Sequence, residues 1–205
     1  MTGSSPRLTT LQLTHQGEGA GSTQSIFSLS RELALRGHRV LVGCPPGTLL
    51  ARMVADSGSL LEHIAFDFRR IGPLSNALAR VIEERHVDVV NSHATRDRRA
   101  LTLLRWRRRL PQPLVVTRRT MPLTSPPELV SPDETGLLVS PLDAGAWARA
   151  LDRLLTDTAL RDRVARAGRV LARREFTMER TAERTELVYQ EAIARRQLLV
   201  GKRAR

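Results

Sequence analysis

The chain has 205 residues, of which 41% are hydrophobic and 26% are charged, and its formal net charge is +12. This composition is that of a folded protein, and the positive charge favours an anionic partner. Of the lysines and arginines, all except Lys202 are arginine, so part of the positive charge reflects a compositional bias of the sequence. A nucleic-acid binder is not expected, and the low aromatic share of 3% argues specifically against the stacking that binds single strands. The single cysteine, Cys44, excludes an internal disulfide and a cysteine zinc site.

The first 117 residues alternate between short apolar stretches typical of strands and segments with helical periodicity. Strands are predicted at residues 8–14, 39–44, 60–66, 87–91 and 114–117. Helices are predicted between them, at residues 25–36, 48–56, 74–85 and 96–109. Strands that alternate with helices form βαβ units, so the predicted fold class is α/β, with a Rossmann-like parallel sheet flanked by helices.

This alternation ends after residue 117. Five prolines between residues 122 and 141 predict an irregular junction, in which only residues 136–140 suit a strand. Three helices are predicted beyond it, at residues 144–155, 159–173 and 178–198. Asp143 and Thr177 are the expected N-caps of the first and the third, and the second follows Asp157. The acidic residues of these helices, such as Glu183 and Glu186, are expected on solvated faces.

The expected domain organisation follows from these elements. A Rossmann-like domain is predicted over residues 1–121, a proline-rich junction over residues 122–142, and a helical extension over residues 143–205.

A glycine-rich loop after the first strand is the strongest local signal. Gly17, Gly19, Gly21 and Ser22 lie between that strand and the first helix. Glycines let the backbone approach a ligand, and the N–H groups at a helix start attract anions, so these four residues are candidates for phosphate binding. The string GEGAGS is an incomplete dinucleotide fingerprint, which argues against NAD. It also lacks the Walker lysine, which excludes a P-loop. A purely structural turn is the alternative.

Two further clusters follow the fourth and fifth predicted strands. His93 and Asp97 are the candidate catalytic residues, since histidine transfers protons near neutral pH and an aspartate among arginines orients hydroxyl groups. Arg118 and Arg119 are candidates for bidentate phosphate binding. A solvated charged segment is the alternative for each cluster. Because carboxyl ends of parallel strands share one edge, the clusters are expected to converge there. Four other histidines, His15, His38, His63 and His86, show no metal-ligand spacing, so the sequence offers no candidate metal ligands among them.

The predicted helix at residues 96–109 is strongly basic and carries leucines and Trp106. It suits peripheral contact with an anionic membrane, and docking on the sheet with snorkelling arginines is the alternative. No apolar run approaches the roughly 20 residues that span a bilayer, and no secretory signal is visible. We therefore expect a cytoplasmic protein, at most peripheral at the inner face of the membrane.

Several motifs resemble those of retaining glycosyltransferases of family 4, which have the GT-B fold. Residues 8–117 resemble the N-terminal half of that fold through the glycine-rich loop, LALRGHRVLVG at residues 33–43 and VDVVNSHATRD at residues 87–97. Residues 127–192 resemble the C-terminal end of the family through PELVSPDETGLLVSPLD, LLTDTALRDRVARAGR and EFTMERTAERTELVYQEA. The resemblance implies transfer of a sugar from a nucleotide-sugar to a lipid or polysaccharide acceptor, with no cofactor besides that substrate.

Between these two matches, the sequence lacks most of the family's second Rossmann-like domain, a segment of roughly 100–150 residues. The family's donor-binding basic residues and its EGxxxxxxE motif have no counterpart. By resemblance, the three loop glycines match the loop near the sugar and phosphates, and His93, Asp97, Arg118 and Arg119 match the acceptor side of the cleft. We expect an internally truncated glycosyltransferase of weak or absent activity. The alternative is a non-catalytic binding module for a phosphorylated sugar or an anionic membrane surface.

Overall fold

The computed structural model describes residues 7–117, 131–139 and 143–203. Five parallel strands form one sheet in the order β3-β2-β1-β4-β5. The strands are β1 (Thr9–Leu13), β2 (Arg39–Cys44), β3 (Glu62–Ala65), β4 (Val89–Ser92) and β5 (Leu114–Val116). The helices are α1 (Ala20–Leu35), α2 (Leu49–Asp56), α3 (Ile71–Glu84), α4 (Thr95–Trp106), α5 (Ala144–Thr156), α6 (Thr158–Glu175) and α7 (Met178–Arg203). The predicted parallel sheet flanked by helices is confirmed.

Local sequence determines most of these boundaries. Gly37 ends α1 in the left-handed conformation at φ +93°, and Asp143 and Asp157 cap α5 and α6 by accepting backbone N–H bonds. Two expectations differ from the structure. The first helix begins earlier than predicted, at Ala20, because its polar first turn carries no apolar periodicity. The strand expected at residues 136–140 is absent from the described residues 136–139, where Gly136 forms only an isolated bridge with Pro132.

Along β1, apolar and polar side chains alternate between the two faces of the sheet. Leu11 and Leu13 point into a core that also holds leucines of α3 and α4, including Leu101 and Leu104. The helix α4 therefore docks on the sheet through its apolar stripe. Gln12 lies on the opposite face and is fully buried. A buried amide without partners would cost about 1–3 kcal/mol, so this face requires polar groups that pair with it.

Helix α7 supplies such a group to the face that carries Gln12. The hydroxyl of Tyr189 accepts hydrogen bonds from Gln12 Nε2 and Asn91 Nδ2, each at 2.9 Å. Asn91 is the neighbour of Gln12 in the β1–β4 register, and its Oδ1 accepts a bond from Thr117. Burial raises the pKa of Tyr189 to about 12, so its hydroxyl stays protonated. The tyrosine thus completes a hydrogen-bonded network across two central strands.

A second polar contact joins α7 to the end of α1 and the start of β2. Glu186 accepts bonds from Arg36 Nε at 2.5 Å and Arg36 Nη2 at 3.0 Å, and lies 3.0 Å from His38 Nε2. His38 Nδ1 accepts the N–H of Leu8, so Nε2 carries the proton that is donated to Glu186. Only 7% of Glu186 is exposed, so the expectation of a solvated side chain is wrong for this residue. Sequence reasoning could not see partners about 150 residues away.

Contacts divide the chain into two compact units. The first contains the sheet, α1 to α4, and α7 from Thr181 onward; the second ends at Arg180 and contains α5 and α6. The residues of α7 that face the sheet, Ala182, Glu186 and Tyr189, recur at helical spacing and are buried. Among the described residues, no helix is long and apolar enough to cross a membrane.

We predict that Glu186→Gln lowers the free energy of unfolding by about 1–3 kcal/mol, because it removes a buried acceptor of charge-assisted bonds. Urea denaturation measures this change. Glu183→Gln is the matched control one helical turn earlier, since Glu183 is half-exposed and lies 4.0 Å from Arg36. Equal losses for the two variants would contradict the assignment.

The contribution of Glu186 to the stability of the fold depends on pH, and the direction follows from its pKa. Burial by itself raises the pKa of Glu186, but the bonds and charges of Arg36 and His38 outweigh it, and the net pKa is lowered. The contribution of Glu186 to stability is therefore full above the ordinary carboxyl pKa and is lost as pH falls from there through the lowered value. Denaturation in that acidic window should show a smaller pH effect for Glu186→Gln than for the wild type.

Candidate functional site

A cleft of about 490 Å³ opens at the carboxyl edge of the sheet. It lies beyond the ends of β1, β2 and β3 and beside the first turn of α4, and its lining includes His15, Pro45, Phe68, Arg69 and Arg96. Open parallel sheets bind their ligands at this edge, where strand ends and helix starts leave side chains and N–H groups exposed. This cleft is therefore the candidate functional site.

The buried carboxylate of Asp97 organises the edge beneath the cleft. Its Oδ2 accepts hydrogen bonds from Ser92 Oγ at 2.8 Å and from the backbone N–H groups of His93 at 3.0 Å and Ala94 at 2.9 Å. Asp97 thus caps α4 and fixes the turn that leaves β4, at a helix end where the dipole favours a negative charge. It is fully buried and does not face solvent.

The other oxygen of Asp97 holds His15, the second residue after β1. The distance from Asp97 Oδ1 to His15 Nδ1 is 3.2 Å, and 22% of the His15 side chain is exposed. Because a carboxylate only accepts hydrogen bonds, Nδ1 carries the proton, and Nε2 is the acceptor atom of the neutral ring. A tilted contact with Phe68, at 6.2 Å between ring centroids, also bounds the imidazole. The arrangement presents an oriented imidazole to the cleft.

Sequence reasoning named Asp97 but not His15. The signal it could have used is a histidine just after the first strand together with an aspartate in the first turn of the helix after the fourth strand. Parallel β1 and β4 are neighbours in the sheet, so both positions reach the same edge.

The structure places His93 in the polar network of the sheet rather than in the cleft lining. His93 is buried, and its Nε2 donates to Gln12 Oε1 at 2.9 Å, since an amide oxygen can only accept. His93 and Asp97 meet through the His93 backbone N–H, not through their side chains. Their assignment as catalytic residues stays a prediction.

The loop glycines differ in what the structure requires of them. A Cβ on Gly17 would lie 2.4 Å from Thr48 Oγ1, so this position has no space for a side chain. Gly19 is the N-cap of α1. Gly21 and Ser22 lie in the first turn of α1, and a Cβ on Gly21 would meet nothing within 4 Å. Close packing explains Gly17, and phosphate binding by these four residues stays a prediction. Arg118 and Arg119 lie outside the described residues.

Two arginines, Arg69 and Arg96, and one carboxylate, Asp67, line the cleft. Arg69 is exposed and bonds through Nε to Asp67 Oδ1 at 3.1 Å. The Arg69 backbone N–H and then its side chain lower the pKa of Asp67. Arg96 is exposed, and no carboxylate of the described residues pairs with it. The cleft therefore combines guanidinium groups that can bind an anion with an imidazole that can accept a proton.

One known protein family matches most of this chain. The model of the family described as Glycosyltransferase Family 4 matches residues 19–187. Among curated protein sequences, none is significantly similar to this chain.

Similar solved structures include a glycosyltransferase from Rickettsia africae ESF-5, with 18% identity and a TM-score of 0.45 over 57% of this chain and 31% of that one. Anabaena Alr3699/HepE in complex with UDP-glucose has 17% identity and a TM-score of 0.45 over 61% and 32% of the two chains. Acinetobacter baumannii MurG has 13% identity and a TM-score of 0.43 over 54% and 34%. The chain thus covers about a third of the length of these proteins.

We predict opposite outcomes for two glycine substitutions in the loop. Gly17→Ala should lower the free energy of unfolding by about 1–3 kcal/mol, because its methyl group overlaps Thr48. Gly21→Ala should be neutral or stabilising by less than about 1 kcal/mol, because it adds a better helix former in open space. Chemical denaturation of both variants measures the difference, and equal destabilisation would refute the packing explanation.

Proposed function

Because the chain belongs to glycosyltransferase family 4, we propose that it acts in the transfer of a sugar from a nucleotide-sugar to an acceptor hydroxyl, carried by a lipid or a polysaccharide. The cleft beside His15 would hold the acceptor. The observation that carries this proposal is the buried Asp97, which holds the His15 imidazole at the cleft wall through its Nδ1–H.

The proposed chemistry assigns a role to each polar group. His15 Nε2 accepts the hydrogen bond of the acceptor hydroxyl and so orients its oxygen toward the anomeric carbon of the donor. That oxygen bonds to the anomeric carbon as the bond from the carbon to the nucleotide phosphate breaks. The hydroxyl proton leaves to His15 or to the departing phosphate. Asp97 and His93 act as positioning residues in this scheme, since both are buried.

The positive groups would bind the phosphates. Arg96, with which no described carboxylate pairs, offers a bidentate contact at the cleft, and Arg69 offers a second contact beside Asp67, to which it already donates. The start of α1, with Gly17, Gly19, Gly21 and Ser22, offers backbone N–H groups, and Arg118 and Arg119 stay candidates for the same role. No metal and no further cofactor enters this proposal.

A binding module for a phosphorylated sugar is the second candidate function. One observation favours it: every residue that lines the cleft belongs to the first unit, so the cleft does not depend on a second lobe. The sequence also lacks counterparts of the family's donor-binding residues. Transfer by the purified chain is therefore expected to be slow, whereas binding at the cleft is expected to persist.

Calorimetry and a transfer assay on the purified chain test both functions. With UDP-glucose as the probe, we predict that Arg96→Gln weakens binding about tenfold, because one charge-assisted contact is lost. His15→Ala should reduce any transfer by about a hundredfold or more while changing binding less. Arg80→Gln, an exposed arginine of α3, is the control for the loss of one charge.

The outcomes separate the two candidates. Measurable transfer that depends on His15 supports the enzyme, and binding that depends on Arg96 without transfer supports the module. Transfer that is unaffected by His15→Ala contradicts the proposed role of the imidazole. A chain that neither binds nor transfers contradicts both functions.

A further inference from the structure

Helix α4 carries arginines at both ends, and the two groups lie in different parts of the first unit. Arg96 lines the cleft at the carboxyl edge of the sheet. Arg105 lies in the last turn, and Arg107, Arg108 and Arg109 follow at once, before β5 begins. Twelve helical residues span about 18 Å. The second group is thus at the amino edge of the sheet and is not explained by the ligand cleft.

Trp106 stands in the middle of this second group and is 80% exposed. The apolar stripe of α4 does not account for it, because Leu101 and Leu104 are fully buried against the core and Trp106 is not. At this exposure the indole is available to contact a partner, and the cations around it favour an anionic one. Indole side chains concentrate at membrane interfaces, where one edge meets headgroups and the ring meets acyl chains.

The arginines around Trp106 are exposed, and no anionic partner contacts them within the part of the chain that the structure describes. No carboxylate among the described residues pairs with any of the four, and only Arg109 has a side-chain bond, to Asn76 Oδ1 at 3.4 Å. Arg108 adopts φ 57°, and the N–H groups of Arg107, Arg108 and Arg109 bond back to carbonyls of α4. The backbone turn is therefore fixed, and it holds in one short segment four charges that no described carboxylate compensates.

An apolar groove of about 560 Å³ lies at the same edge. Leu8, Pro113 and Ile193 form much of its lining, to which Arg7 and Arg196 add positive charge and Asp88 a negative one. Arg196 Nε donates to the carbonyl of Pro111 at 2.7 Å, which joins the groove to the segment that follows Arg109. Two exposed leucines, Leu198 and Leu199, come next on α7. Apolar surface and arginine thus occur together at this edge.

We propose that the amino edge of the sheet, centred on Trp106 and Arg105, Arg107, Arg108 and Arg109, docks on an anionic lipid bilayer. The guanidinium groups bind headgroup phosphates, and the indole inserts at the level of the headgroups. Charge complementarity selects this partner, and a single tryptophan offers no series of stacking platforms for nucleic acid. In this pose the cleft lies at the other end of α4, away from the bilayer, so of the two proposed acceptors only a polysaccharide can reach it. The proposal goes beyond sugar transfer and does not depend on it.

Co-sedimentation of the full chain with vesicles tests the surface. The chain should bind vesicles of phosphatidylcholine mixed with phosphatidylglycerol and not vesicles of phosphatidylcholine alone, and added salt should weaken binding. The variant R105Q/R107Q/R108Q/R109Q should lose affinity by about fivefold per arginine. R163Q/R166Q/R169Q/R173Q removes four exposed arginines of α6 and is the control of equal charge. It should bind almost as tightly as the wild type.

Fluorescence reports the position of the indole itself. In a Trp147→Phe background, the emission of Trp106 should shift to the blue with anionic vesicles, as its ring leaves water. Circular dichroism checks that each variant is folded. Equal losses for the two quadruple variants, or an unshifted Trp106 on bound vesicles, would overturn the proposal. A wild-type chain that does not bind anionic vesicles would also overturn it, whether the chain binds an oligonucleotide or self-associates instead.

Discussion

One buried carboxylate sets the geometry of the carboxyl edge. Asp97 accepts bonds from Ser92, from the turn that begins α4, and from His15 after β1. A carboxylate is tolerated in the interior only when its oxygens are paired, and here donors come from the neighbouring strands β1 and β4. The same contacts that satisfy Asp97 therefore bring the segments after these two strands together and orient the imidazole at the cleft.

A second set of polar contacts binds helix α7 to the other face of the sheet. Tyr189 reaches Gln12 and Asn91, and Glu186 reaches Arg36 and His38. A purely apolar face would accept any apolar helix, whereas these buried amides accept only a helix with polar groups at the right spacing. The network thereby gives α7 a specific position in the first unit. His93 takes part in it through Gln12, so the network ends beside the backbone that Asp97 caps.

The fold was largely predictable because its signals are local. The apolar run of β2, Gly37 and the cap at Asp143 each act within a few residues, and the structure matches them. The expectations that failed concern contacts between residues that are far apart in the chain. His15 acquires meaning from Asp97, 82 residues away, and Glu186 is buried by partners about 150 residues away. Neither pairing changes the local periodicity of the sequence. The basic character of α4 was visible in sequence, but its division between the cleft and the opposite edge required the helix to be placed on the sheet.

The account rests most directly on the hydrogen bond between Asp97 and His15. Nitrogen–proton correlation NMR of the imidazole rings, at a pH where histidine is neutral, reports which nitrogen carries the proton. The structure predicts that His15 is the Nδ1–H tautomer in the wild type and loses this preference in Asp97→Asn. A wild-type His15 that carries its proton on Nε2 would contradict the account, because that nitrogen would then be unable to accept a hydrogen bond from an acceptor hydroxyl.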